Sequence, residues 1–151
     1  MASPQEFSYT PDEYESEKAS NSYLMSLVVI MVGLPFPIVN LIASAIFYFG
    51  NRKSPRFVRW HCTQALLAQS FTLPVNAAGV YWTIAVVFGR AVLTNSYIAY
   101  IFTILLFNLV EFIATMYAAI QTRKGKHVTW WFFGSLSDVC VSAHRSVLAQ
   151  V

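Results

Sequence analysis

The sequence predicts an all-α integral membrane protein of three transmembrane helices, the first kinked at Pro35 and Pro37, with an interfacial C-terminal segment. Three observations carry that expectation. Hydrophobic residues make up 56% of the 151-residue chain, only 11% are charged, and mean hydropathy is +0.52, whereas a soluble domain ordinarily carries about 25% charged residues. The apolar residues gather into long stretches separated by short polar ones. The charges are segregated, with Glu6, Asp12, Glu13, Glu15 and Glu17 near the N-terminus and the basic residues in two later patches. The net charge of +3 therefore averages opposite local fields. It gives no reason to expect a nucleic-acid partner, and membrane orientation explains it better.

Residues 1–22 are polar and lack helical or strand periodicity, so a disordered acidic tail is expected there. A docking motif for a partner is the alternative. The N-terminal residues lack the basic residues and early apolar run of a cleavable signal. The membrane domain is expected over 23–126. Its first span, 23–50, carries no charge and would reach roughly 42 Å as one helix, more than the ~30 Å hydrocarbon core. Gly33, Pro35 and Pro37 interrupt it near the middle, where a missing backbone donor predicts a kink. The alternative is a re-entrant hairpin of two half-helices with both ends on one side of the membrane.

Ser54-Pro55 is a helix start signal, a hydroxyl cap followed by a residue whose missing N–H costs nothing in the first turn. The second span is expected over 56–88, amphipathic at first through Arg56, Arg59, Trp60 and His61, with Pro74 and Gly79 as sites of bending or close packing. The third runs over 97–121, where Glu111 is the only ionisable group apart from tyrosines. In 127–151 the aromatic run Trp130-Trp131-Phe132-Phe133 suits the membrane interface. An interfacial segment is expected there, with a fourth span as the alternative. Cys62 and Cys140 have neither disulfide-framework nor zinc-ligand spacing.

Orientation follows from the basic residues. The first loop carries Arg52, Lys53, Arg56 and Arg59, and the segment after the third span carries Arg123, Lys124 and Lys126. With three spans these patches share a face, so the positive-inside rule places them in the cytoplasm with the C-terminus and puts the N-terminal tail outside. The bacterial inner membrane is the expected location.

Polar residues within the spans are the candidates for function. Counted from the cytoplasmic ends, Asn40, Gln69 and Glu111 each lie about 16 Å deep, and Asn108 shares the face of Glu111. A carboxylate at that depth costs roughly 3 kcal/mol unless neighbouring helices supply partners. A polar mid-membrane layer that joins the helices is expected, with a proton or ion relay as the functional alternative. His61, Gln64, Ala65, Ala68 and Thr72 form a small-polar stripe that marks the face turned toward other helices. His61 beside Cys62 is not a nucleophilic pair, because adjacent helix residues point about 100° apart.

The run Arg52-Lys53-x-Pro55-x-x-Val58-Arg59-x-His61-x-x-Gln64-Ala65-Leu66 resembles the hallmark of a group of small bacterial multi-pass membrane proteins. That group is related to the Tic-twenty-like subunit of the chloroplast import translocon and to MamF-type proteins of magnetosome membranes. The resemblance extends from about Tyr23 to Lys126, and Gly125-Lys126 looks like the family's ending after the last span. The family often continues with a Tyr-Pro element, where this chain has Val128-Thr129-Trp130-Trp131. The resemblance implies a helical membrane fold, brings protein transport into view as a process, and supplies no reaction.

The expected function is that of a non-enzymatic scaffold or accessory subunit of a membrane assembly. It needs no cofactor or metal, and its partners are the lipid bilayer and other membrane proteins or further copies of itself. The alternative is a translocation or ion- or proton-conducting element.

Overall fold

The computed structural model describes residues 3–5, 7–33, 37–130 and 133–148, without the side chains of 3–5, 28–33, 37, 40 and 142–148. The elements run β1 (Ser3–Gln5), α1 (Glu13–Gly33), α2 (Pro37–Gly50), α3 (Arg56–Val87), α4 (Asn95–Arg123), β2 (His127–Thr129) and α5 (Phe133–Leu148). The fold is all-α apart from the short antiparallel pairing of β1 with β2, which sets Ser3 opposite Thr129 and Gln5 opposite His127.

Among the described residues two helices, α3 and α4, are long and apolar enough to cross a membrane. At 1.5 Å per residue they reach roughly 48 and 43 Å. Both close with a glycine at positive φ, Gly89 and Gly125. In the second turn Lys126 N–H reaches the Gln121 carbonyl at 3.1 Å and Gly125 N–H reaches that of Thr122 at 3.0 Å. This pairing satisfies two orphan carbonyls and reverses the chain, which a side chain at φ +74° would oppose. The reversal lays β2 back against the helices. Along their length α3 and α4 are antiparallel, and buried Gly79 allows close approach: a methyl group there would lie 2.5 Å from the Ile104 Cδ1 atom.

The expected single kinked span over 23–50 is instead two helices. Pro37 opens α2, where its fixed φ and absent N–H fit a first turn. The expected kink at Pro35 lies outside the described residues. Ser26 Oγ of α1 stands 3.3 Å from Ser44 Oγ of α2, and Phe47 and Tyr48 pack against the cluster that contains Ala19. Contacts that move down one helix as they move up the other make an antiparallel hairpin, the alternative reading of this segment. With 14 residues, α2 reaches only about 21 Å, short of a ~30 Å core.

The expected disordered tail is also replaced by structure. α1 begins at Glu13 with Asp12 as its cap, whose Oδ1 accepts from Glu15 N–H at 2.6 Å. Asp12-x-x-Glu15 has the spacing of a capping box, and two acids in the first turn suit the positive end of the helix dipole. Tertiary contacts hold the segment down. Ser16, Ala19, Ser20, Ser22 and Tyr23 are buried, and Ser20 Oγ donates to the Ala119 carbonyl at 2.9 Å. Tyr9 links the segment to α3, its hydroxyl accepting from Phe57 N–H at 3.3 Å and donating to Glu15 at 2.9 Å. That phenol serves the α3 N-terminus in place of the expected Ser54 cap, since no side chain caps the helix at Pro55.

These contacts correct the relative placement of the N-terminal segment. β1 pairs with β2, Tyr9 meets Phe57, and Glu17 faces Arg123 at 3.4 Å. The segment therefore lies at the same end of the bundle as both basic patches, not across from them. The region 127–151 is likewise more than a surface strip: Trp130 stacks on Tyr23, and α5 packs on α3, with the Trp60 indole donating to Asp138 at 2.7 Å.

Candidate functional site, a polar seam along the third helix

α3 carries a row of polar residues at helical spacing, and each meets a partner on another element. Nearest the basic end, His61 and Gln64 are fully buried, one turn apart on one face. Tyr23 OH lies 2.7 Å from His61 Nδ1, and Gln64 Nε2 donates to the same hydroxyl at 2.9 Å. Gln64 also donates to the Val128 carbonyl at 3.2 Å and accepts from Trp130 N–H at 3.2 Å. On the far side of the imidazole, His61 Nε2 stands 3.3 Å from His127 Nδ1. One assignment satisfies every atom: the Tyr23 oxygen accepts from Gln64 and donates to Nδ1, so His61 carries its proton on Nε2 and donates to His127. Phe57, Trp60 and Phe7 ring the two imidazoles, with centroids 4.2 to 6.2 Å from that of His127. Burial pushes the His127 imidazole down to about 4; the nearby Arg56 charge acts in the same direction, and Asp138 acts against both.

The H-x-x-Q pair is thus a clamp that ties α3 to α1 and to the backbone on either side of Thr129. Ala65, next on the motif, is buried with Tyr23, Ala118, Ala119 and Val128, while Leu66 is only partly buried.

Further along, Gln69 Nε2 donates to Glu111 Oε1 at 2.9 Å, and Thr72 Oγ1 lies 3.1 Å from Oε2. Both carboxyl oxygens are engaged across the α3–α4 interface. Asn108 does not join that group. It exchanges two amide hydrogen bonds with Asn76, at 2.8 and 2.9 Å, and donates to the Ile104 carbonyl. The Asn40 side chain lies outside the described residues. Sequence reasoning missed Asn76, Tyr23 and His127. The first continues the stripe of Gln69 and Thr72 at i+7 and i+4, a signal that was available.

The basic residues Arg52, Lys53, Arg56, Arg123, Lys124 and Lys126 are exposed at one end, and Arg59 is half-buried there. The Glu17–Arg123 ion pair is more than half exposed on both sides and contributes little to stability. Among the described residues no three His, Cys, Asp or Glu side chains are grouped to hold a metal ion.

An all-α fold with two long apolar helices, joined by buried hydrogen bonds through a polar seam, defines a small helical membrane protein. Residues 19–136 match the MamF/MmsF family, described as a magnetosome magnetite crystal formation protein family, and the chain belongs to that family. The match falls on the MamF side of the resemblance noted above and lends no support to the Tic-twenty-like label or to protein transport. No curated protein and no solved structure matches the chain.

Proposed function

We propose that this protein is a non-enzymatic scaffold of the membrane in which magnetite crystals form, inserted with its basic end in the cytoplasm. One observation carries the reading: the seam residues spend their polar atoms on partners within the protein. His61, Gln64, Gln69, Thr72, Asn76, Asn108 and Glu111 all bond across helices. The outward faces of α4 remain apolar and exposed, through Phe102, Leu105, Leu106, Leu109 and Ile113. Such a surface suits lipid and neighbouring membrane proteins or copies of the same chain. Magnetosome membranes replace the generic inner membrane as the proposed location because of the family. The orientation rests on the shared end of the basic residues and the positive-inside rule, and it puts the N-terminal segment in the cytoplasm too.

Purification in mild detergent followed by partner identification, alongside crystal size and number in cells lacking the protein, tests this reading. A stable assembly with other magnetosome membrane proteins and altered crystals are expected. Unchanged crystals would overturn it. The second reading, a proton-conducting element, draws on Glu111 with its partners Gln69 and Thr72 and predicts proton flux in liposomes that Glu111→Gln abolishes.

A further inference from the structure

A cavity of about 390 Å³ lies between α3 and α4, walled by Phe71, Phe107, Val110, Ala114, Trp130 and Phe133. That is the size of a small-molecule site. Glu111 and Thr72 also border it, but their polar atoms are bonded to each other and to Gln69 and the Ala68 carbonyl. The wall therefore offers an occupant carbon and aromatic surface. Water needs two to four polar partners to occupy such a space, and this wall does not supply them. The Trp130 indole N–H is itself buried, so its ring presents carbon to the groove.

Position narrows the occupant. The α4 wall residues, Phe107 to Ala114, span roughly 10 Å of a membrane-crossing helix, beginning about three turns inside the basic end at Arg123 and Lys124. Trp130 follows directly on β2, which those basic residues precede. An occupant with an anionic head at the basic end and a hydrocarbon chain below would meet both features in order. We propose that the cavity is a groove for one acyl chain of an anionic glycerophospholipid, its head group held toward the basic end.

The test is native mass spectrometry of the detergent-purified chain titrated with phosphatidylglycerol, with thermal melting to verify folding. The wild type should retain one lipid. Val110→Trp, at an exposed position that borders the groove, and Ala114→Phe should fill it and lower retention at least tenfold. Leu109→Phe, exposed beside the groove but outside it, should not. Phosphatidylcholine of the same chain length should be retained less than phosphatidylglycerol, because its head group carries no net charge to meet the basic end. A folded Val110→Trp protein that retains lipid like the wild type would overturn the proposal. So would a wild type that holds no lipid while Val110→Trp breaks a homo-oligomer, because a second copy would then fill the groove.

Discussion

Ser26 and Ser44 meet hydroxyl to hydroxyl at 3.3 Å, seven residues before the end of α1 and seven after the start of α2. That symmetry about the break makes the segment a hairpin that enters and leaves at one end of the bundle. Both basic patches, the N-terminal segment and Asp138 of α5, bonded to Trp60, then share that end, and the α3–α4 turn with Arg90 is the opposite one.

Topology is directly measurable. With Cys62 and Cys140 replaced, single cysteines at Ser8 and Ser54 should react with an impermeant reagent from the same side, and one at Asn95 from the other. Opposite-side labelling of Ser8 and Ser54 would rule out the hairpin.

The clamp should be sensitive to single atoms. Tyr23→Phe removes the hydroxyl that serves both His61 and Gln64, leaving buried polar atoms unpaired at a cost of about 1–3 kcal/mol. Gln64→Leu should cost at least as much, since it also abandons Val128 and Trp130. Leu66→Phe, on the partly exposed side, should melt like the wild type in detergent. Equal melting of all three would show that the clamp contributes nothing.

Glu111 should tolerate an amide and not an alkyl group. In Glu111→Gln the amide oxygen keeps the Gln69 bond. Its NH₂ can donate to Thr72 Oγ1, which already donates to the Ala68 carbonyl at 3.0 Å. Glu111→Leu orphans the Gln69 amide and should destabilise by roughly 1–3 kcal/mol. A leucine variant as stable as the glutamine variant would refute this account of the interface.

His127 should make the basic end acid-sensitive. Its folded pKa, about 4, lies below the ordinary value of 6.5, so between these the unfolded chain binds more protons than the folded one. Stability from the neutral pair is therefore complete above about pH 6.5 and falls as pH drops toward 4. Melting temperature in detergent should decline across that window, and His127→Gln should flatten the decline. An identical decline in the variant would assign it to other groups.

The helical membrane class was legible in the sequence because it depends on sums. Apolar content, stretch length and the placement of Arg52 to Arg59 and Arg123 to Lys126 do not change with the rotation of any helix. Depth was legible for the same reason, since counting residues from a helix end puts Gln69 and Glu111 level, and the structure has them 2.9 Å apart. The α1 start could have been read from Asp12-x-x-Glu15, yet a polar half-helix without its tertiary partners looks like a tail. Only the tertiary structure decided the pairings. Asn108 turns to Asn76 rather than to Gln69, and Tyr23 reaches His61, because the rotation of each helix about its axis sets which side chains face each other. Only the tertiary structure decided the side on which the chain emerges after Gly33, because a proline can kink a helix or end it. The choice falls to the surfaces that then come into contact, here the small serine and alanine face of α1 against α2, α3 and α4.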